Sequence, residues 1–492
     1  MGQKSLFKNS IYKALLSFAN IVIPIIIGPY ITRLLDVELY GSYNKVYAEF
    51  QVFLIFATFG IYTFGVRGIS KIRDDKEKVS ELFTNLFLLG IITNIVTGII
   101  YIVYALISST GITQSIYFVF IIQIIANIFY IEFLNEALEN YKFITIKTLI
   151  VKVLYLVLLL AMVKKPDDII IYSIIISGIV FLNNIISYIY VKKHINFNFK
   201  QIHLIRYIKP LFLVLIITNI EILYGQLDKV MLGKFVNDVS VTLYYIPYYL
   251  IATLAAIPYS IINVSIPRLS YMVESNNKES YEGALNTSIS SLLFLILPMC
   301  MGVVALAPEV VQLYAGDKYI GTGMSTVLIL ACIYRIIISI ESSMTNLVLY
   351  ANNREKILVK FSLTFGLLNV IMNFLLVAIN KLTPLTAMLT TAIAELLLCI
   401  VQYIYIKKKM KIELKIFSKQ NLTYGILALC FIPISMLIKY INLGFYINII
   451  AIMLICILLY VGVLFIKKDS VLNMILKKIL GKLLRKKGVI NE

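Results

Sequence analysis

Apolar runs of about twenty residues, separated by short polar loops, recur along the whole chain. At a helical rise of about 1.5 Å per residue, each run is long enough to cross a bilayer. The pattern predicts fourteen spans, with limits good to a few residues. The first six lie at 10–34, 42–66, 81–106, 115–138, 143–163 and 169–191. The seventh to twelfth lie at 208–235, 241–266, 284–307, 321–350, 357–380 and 383–406, and the last two at 421–440 and 443–466. The tenth is long enough to include a tilted or broken end. Alternating segments of about ten residues, the sign of a membrane β-barrel, are absent. The first span carries no small-residue cleavage site and reads as a retained helix.

The loops set the orientation. With the N-terminus in the cytoplasm, the basic clusters at Arg67–Lys78, Lys192–Lys209 and Lys407–Lys419 all fall on the inner side, while the outer loops hold few cations. That asymmetry is the positive-inside rule. An even number of spans returns the C-terminus to the cytoplasm, where Lys467–Lys487 supplies eight more cations. In that tail Leu472, Ile475, Leu476, Ile479, Leu480 and Leu483 form a stripe opposite the lysines, which suits a helix lying on anionic inner-leaflet lipids; a protein partner is the other reading.

An internal repeat halves the problem. A shift of 201 residues sets Arg33 on Lys234, Tyr43 on Tyr244, Tyr47 on Tyr248, Arg67 on Arg268 and Asn85 on Asn286. Six spans separate the copies, so both keep one orientation, as in transporters built from parallel repeats around a cavity. The expected class is therefore an all-α polytopic membrane protein of about fourteen transmembrane helices, with two six-helix lobes in parallel pseudo-repeat plus two C-terminal helices. Its parts are an N-terminal lobe at 1–191, a basic cytoplasmic linker at 192–207, a C-terminal lobe at 208–406, the last two spans at 407–466 and a basic amphipathic tail at 467–492.

Composition agrees: 60% of residues are hydrophobic and 14% charged. The net charge of +19 sits in short loops, which argues for topology and against a nucleic-acid groove. Enzyme signatures are lacking. No phosphate loop, HExxH motif or cysteine cluster appears, so neither an ATP-driven pump nor a metal site is expected. The five cysteines all lie in apolar runs and read as small buried hydrophobes. Asp74–Asp75 and Asp167–Asp168 sit beside lysines in short loops and read as solvated charges or helix caps.

Several short stretches carry a resemblance: PYITRLL at Pro29–Leu35, YGSYN at Tyr40–Asn44, GVRGISKIRDDKEK at Gly65–Lys78, LDKVMLG at Leu227–Gly233, LYYIPYYL at Leu243–Leu250 and IPRLS at Ile266–Ser270. In order and spacing these resemble the polysaccharide (lipid-linked oligosaccharide) flippases of the multidrug/oligosaccharidyl-lipid/polysaccharide exporter superfamily. The resemblance implies a substrate, undecaprenyl-diphosphate-linked oligosaccharide, moved from inner to outer leaflet of a bacterial plasma membrane by alternating access, without enzymatic chemistry.

Ionisable residues inside the spans are then the candidate site, since each costs a few kcal/mol or more unless it faces protein or water. Arg33, Lys45, Lys229 and Lys234 form a basic set at the outer half, suited to a diphosphate; Arg33 and Lys234 read equally as headgroup anchors. Arg67 and Arg268 stand at the inner ends of spans two and eight, either to meet the diphosphate or to obey the positive-inside rule. Lys152 at the centre of span five needs a partner, with Glu132 of span four the candidate. Arg335 suits either a structural ion pair or the substrate. Tyr47 and Tyr248, equivalent in the repeat, are the candidate sugar contacts, whereas Tyr30, Tyr43, Tyr244, Tyr245 and Tyr249 read as an interfacial belt. Asp228, Glu221, Glu49, Glu341 and Glu395 are the candidates for coupling to a proton or sodium ion; no other cofactor is expected. Expected partners are the lipid-linked oligosaccharide, anionic inner-leaflet lipids and proteins of polysaccharide polymerisation and assembly, with no nucleic acid. Other readings within transport are a teichoic-acid or peptidoglycan precursor flippase and a drug or cation antiporter, the latter expected to have an acidic cavity. A membrane glycosyl polymerase or ligase is the alternative from another class.

Overall fold

A computed structural model describes residues 3–274 and 277–477, excepting the side chains of 3–15, 17–18, 21, 217–218, 220–224 and 274. Every element in it is helical. Among the described residues twelve helices are long and apolar enough to cross a membrane. Spans one and seven, the other two expected, fall in the 32-residue helices Gln3–Leu34 and Leu204–Phe235, part of whose side chains lie outside the description. Apolar side chains such as Ile99, Ile107, Val264 and Leu458 point outward, as they must when the surrounding solvent is hydrocarbon. The chain is a multi-pass membrane protein.

Several spans are broken, each for a local reason. Span two runs as Val37–Thr58 and Ile61–Ile72, interrupted where Phe59 and Gly60 both take positive φ, 47° and 73°. Glycine is required there for a second reason. A Cβ on Gly60 would lie 2.8 Å from the Leu211 carbonyl oxygen of span seven. Span ten ends in a π-helical stretch at Thr345–Tyr350, in keeping with its excess length. Three prolines, Pro247, Pro258 and Pro267, punctuate the helix Asp238–Glu274 that contains span eight.

The chain forms two compact units. The first comprises Met1–Tyr245 with Val370–Pro384, and the second Ile246–Asn369 with Leu385–Glu492. In the first, Ile61, Ile69, Phe83, Leu86, Phe133, Leu134 and Leu211 make a core joining span two, span three, the end of span four and the start of span seven. In the second, Phe294 and Tyr460 pack together, and the Tyr460 hydroxyl donates to the Phe294 carbonyl at 2.9 Å, which ties span fourteen to span nine.

The repeat reappears as a duplicated clamp. In the first unit Asn85 Nδ2 donates to the Gln201 carbonyl at 2.9 Å and its Oδ1 accepts from the His203 N–H at 2.7 Å. In the second unit Asn286 Nδ2 donates to the Glu413 carbonyl at 2.9 Å and its Oδ1 accepts from the Lys415 N–H at 2.7 Å. Each asparagine thus pairs with an extended segment as a neighbouring strand would, satisfying backbone groups that have no helix to bond within. Helix limits repeat as well: Gln3–Leu34 becomes Leu204–Phe235, and the next helix starts at Val37 in one copy and Asp238 in the other. The amphipathic tail is described to Lys477 only, and its outer part lies outside the described residues. Asp469 starts it, accepting from the N–H groups of Val471 and Leu472 at 3.0 Å while holding the Tyr424 hydroxyl at 2.8 Å.

Replacing either clamp asparagine with leucine strands a backbone N–H and a carbonyl at once. Each change is expected to destabilise its unit by about 1–3 kcal/mol, more at fully buried Asn85 than at half-buried Asn286. Thermal unfolding in detergent measures this, followed by far-ultraviolet circular dichroism for both variants and, for the Asn286 variant, also by a thiol-reactive dye reaching the buried Cys300, Cys332 and Cys456 of the second unit.

Candidate functional site: interior cations and their partners

In the first unit, charged side chains gather where the end of span seven and the start of the following helix pass span two. Two glycines let the helices come this close. A Cβ on Gly41 would lie 1.8 Å from the Asp238 carbonyl oxygen, and one on Gly233 would lie 2.4 Å from Lys45 Cδ. At that separation Lys45 Nζ reaches Asp238 Oδ1 at 2.7 Å, and the Ser42 hydroxyl donates to the other carboxylate oxygen. Lys234 Nζ lies 3.8 Å from Glu49 Oε1 and 2.8 Å from the Tyr104 hydroxyl, which itself donates to Glu49 Oε2 at 2.7 Å. Tyr117 donates to the same oxygen, so Oε2 of the buried Glu49 is doubly supplied, while Oε1 has no hydrogen bond among the described residues and faces only the Lys234 ammonium. Lys45 and Lys234 are therefore neutralised cations. Asp238, Tyr104 and Tyr117 were not singled out in the sequence, where Asp238 reads as a loop charge and the tyrosines as apolar bulk.

Lys229 differs. It is 4% exposed, its ammonium stands 5.5 Å from the centre of the Tyr245 ring, and no carboxylate among the described residues lies within ion-pair distance. A ring face attracts a cation but does not neutralise it. Its neighbour Asp228 faces elsewhere, accepting from the Tyr244 hydroxyl at 2.7 Å and from Asn373 Nδ2 at 2.6 Å. Tyr43 and Tyr244 correct the belt reading, because both are buried: Tyr244 serves Asp228, and Tyr43 stacks among Tyr40, Tyr47, Phe120 and Tyr172. Tyr47 is half-buried in that aromatic group, 5.9 Å from Phe120. The side chain of Glu221 lies outside the described residues. Arg33 and Arg67 are both exposed.

The expected partnership of Lys152 with Glu132 is also corrected. Lys147, one turn nearer the start of span five, takes Glu132 Oε2 at 2.9 Å and bonds Ser187 Oγ at 2.6 Å. Position explains the exchange, since Glu132 starts a short helix beyond the break in span four and sits level with Lys147. Lys152 instead faces a cavity of about 470 Å³ among spans two, four, five and six, with no carboxylate partner among the described residues.

The second unit holds a third such cation. Arg335 is 8% exposed, and its guanidinium carbon lies 5.9 Å from the Tyr248 ring, 6.0 Å from Tyr259 and 5.8 Å from Tyr334. Its Nε has no hydrogen-bond partner, and no carboxylate among the described residues pairs with it. Tyr248 stacks on Tyr334 at 6.2 Å as part of this cage. Glu341 Oε1 accepts from Gln402 Nε2 at 2.7 Å and from the Thr345 hydroxyl, while Glu395 is buried one helix away. Arg268 is exposed.

The loop carboxylates order their loops, Asp75 as the cap of the helix Lys76–Ser108 and Asp168 without a side-chain bond to the helix it precedes. Asp75 pairs with Lys78 Nζ at 2.9 Å and accepts from the Lys78 N–H at 3.2 Å, which holds its carboxyl below the ordinary range. Asp168 is held down by the backbone N–H groups of Lys164 and Lys165, both at 2.8 Å.

The Asp228 cluster yields a graded prediction. Asp228→Leu leaves the buried Tyr244 and Asn373 donors unsatisfied and is expected to cost about 2–6 kcal/mol for the pair. Asp228→Asn keeps one acceptor and is expected to cost less than half as much. Unfolding midpoints in detergent, compared between the two variants, test the order.

The profile of the family described as "Polysaccharide biosynthesis protein" matches residues 6–273, and that of "Lipid II flippase MurJ" matches residues 150–459. A protein of Shigella dysenteriae described as an O-antigen transporter is 24% identical over 386 residues, covering 75% of this chain and 92% of its own. One of Escherichia coli K12 with the same description is 26% identical over 183 residues, covering 35% and 42%. Among solved structures, the lipid II flippase MurJ in an inward closed conformation aligns with a TM-score of 0.67 at 15% identity, over 96% of this chain and 99% of that one. A multidrug-resistance transporter of the same superfamily, inward-facing, aligns with a TM-score of 0.60 at 11% identity, over 82% and 98%. These likenesses speak for the shared helical fold, and the profile matches speak for the family. The chain belongs to the polysaccharide biosynthesis protein family, as a polysaccharide flippase of the multidrug/oligosaccharidyl-lipid/polysaccharide exporter superfamily.

Proposed function

We propose that this flippase carries an undecaprenyl-diphosphate-linked oligosaccharide, the repeat unit of a surface polysaccharide of the O-antigen kind, from the inner to the outer leaflet of a bacterial plasma membrane. The observation that carries the reading is the trio of Lys152, Lys229 and Arg335, three interior cations without a carboxylate partner among the described residues. A permanent cation in a low-dielectric span is expensive unless something anionic visits it. A diphosphate carrying a sugar chain is such a visitor, and guanidinium offers it two parallel hydrogen bonds. In this mechanism the polar headgroup crosses by alternating access along a cationic path, while the polyprenyl tail stays in lipid. Lys45 and Lys234, already paired, contribute by exchanging Asp238 and Glu49 for phosphate oxygens, and Tyr47 and Tyr248 offer ring faces to sugars.

Coupling to a proton or sodium ion falls to Asp228, Glu341 and Glu395, all three buried, with Asp228 and Glu341 hydrogen-bonded to neutral donors. Such carboxylates change charge cheaply when their donors rearrange. Both termini are cytoplasmic on this reading, with polymerase and assembly proteins acting on the delivered glycan outside. A cation exporter is disfavoured by the same trio, since it would repel its own cargo.

Translocation of labelled undecaprenyl-diphosphate oligosaccharide in proteoliposomes is the test. Loss of one charge-assisted bond, worth about 1.5–3 kcal/mol, predicts a fall of roughly tenfold to a hundredfold in rate for Lys229→Met and for Arg335→Met. Sugar transfer without translocation would replace the reading with that of a polymerase or ligase. Translocation of lipid II in place of the oligosaccharide would redirect it to a peptidoglycan precursor. For orientation, alkaline phosphatase fused after Lys477 is expected to stay inactive and, inserted between Lys381 and Leu382, to be active; the opposite pattern overturns it.

A further inference from the structure

The cavity facing Lys152 is more selective than a generic anion path requires. Its volume of about 470 Å³ falls within the range of small-molecule sites, about 300–1,000 Å³. Lys152, Gln123, Asn127, Asn183, Thr148 and Tyr130 line it within an otherwise largely apolar wall that includes Leu54, Val151 and Ile179, all within the first unit. Each amide nitrogen has one of its two N–H donors committed. Gln123 Nε2 donates to Ser177 Oγ at 3.0 Å, Asn127 Nδ2 to Asn94 Oδ1 at 2.9 Å and Asn183 Nδ2 to Asn184 Oδ1 at 3.4 Å. The three amide oxygens accept from no described residue, and the hydroxyls of Thr148 and Tyr130 are likewise uncommitted among them. So the pocket offers one ammonium, three amide oxygens, two hydroxyls and one remaining N–H on each carboxamide.

That inventory discriminates among ligands. A diphosphate presents acceptors only and would leave the three amide oxygens without donors. A metal cation would meet the ammonium. An apolar tail would suit the apolar part of the wall but leave the ammonium and the carboxamides unanswered. A sugar ring brings several hydroxyl donors for the amide oxygens, and an acidic substituent completes the match with Lys152.

We propose that this pocket is a subsite for one acidic sugar residue, a hexuronate, of the glycan being carried. The proposal rests on the flippase reading and sharpens it: the repeat unit contains a uronic acid, and Lys152 selects for it. The ammonium pairs with the C6 carboxylate, and the amide oxygens of Gln123, Asn127 and Asn183 accept from ring hydroxyls. Such a site needs no carboxylate of its own, in accord with the failure of Glu132 to reach Lys152.

Binding of methyl β-D-glucuronide, methyl β-D-glucoside and inorganic pyrophosphate to the full-length protein in detergent, measured by saturation-transfer NMR titration, tests it. Expected is preferential binding of the glucuronide, weakened about tenfold or more in Lys152→Met and retained within a few-fold in Lys152→Arg. Thr148→Val is expected to weaken glucuronide and glucoside alike. Equal binding of glucuronide and glucoside overturns the proposal. So does a preference for pyrophosphate, indifference to Lys152→Met, or no binding of any probe at tens of millimolar. Proteoliposomes separate this from the broader reading: if a neutral lipid-linked glycan is flipped but the glucuronide does not bind, the subsite alone fails. If neither neutral nor uronate-bearing lipid-linked glycan is flipped, the transport reading fails whatever binds in the pocket.

Discussion

A charge within hydrocarbon must find its answer inside the protein, and most of this molecule's interior follows from that demand. Lys147 is answered by Glu132 and Ser187, Lys45 by Asp238, and Lys234 by Glu49 through Tyr104. Each pair fixes one helix against another at a definite height, so the ion pairs do as much to register the spans as the apolar contacts do. Apolar packing between membrane helices is weakly directional because lipid competes for the same surface. Polar pairs are not exchangeable with lipid. Where the pairing stops, at Lys152, Lys229 and Arg335, the chain keeps cations that structure alone does not require. Tyrosine rings soften that cost at Lys229 and Arg335, and carboxamides do so around Lys152.

Helix close approach is the second condition. Gly41, Gly60 and Gly233 each stand where a side chain would strike a neighbour. The first and last bring Lys45 to Asp238; Gly60 combines a left-handed turn with contact to span seven. Small residues and ion pairs thus cooperate, because a salt bridge between helices forms only if the backbones come near enough for two short reaches to meet. A methyl group at Gly41 would push apart the pair that Lys45 holds together.

The spans were legible because hydrophobic length and charge asymmetry are one-dimensional signals, and the repeat and the family because short stretches recur in order and spacing. The irregular end of span ten was announced by its length, whereas the break of span two at Phe59 and Gly60 was not readable. The site was legible residue by residue but not pair by pair. Lys152 and Lys147 both stand in span five, five positions apart on different faces, and which of them meets Glu132 depends on the break at the end of span four. Tyr43 and Tyr244 look like belt residues in a hydropathy trace because their height in the membrane is visible there and their direction is not. Asp228 was singled out for its depth, but Asn373, its partner from 145 residues away, carries no local mark at all.

The paired asparagines, Asn85 and Asn286, have a wider meaning. Each fastens the chain leaving a six-helix repeat to the start of that repeat's third span, using backbone groups of the exiting segment and no side chain of it. The exit is therefore a socket that accepts any sequence. Span seven leaves from one socket and span thirteen from the other, though the helices that follow share no obvious likeness. A bundle with such a socket can be duplicated, or extended by two helices, without renegotiating its interior.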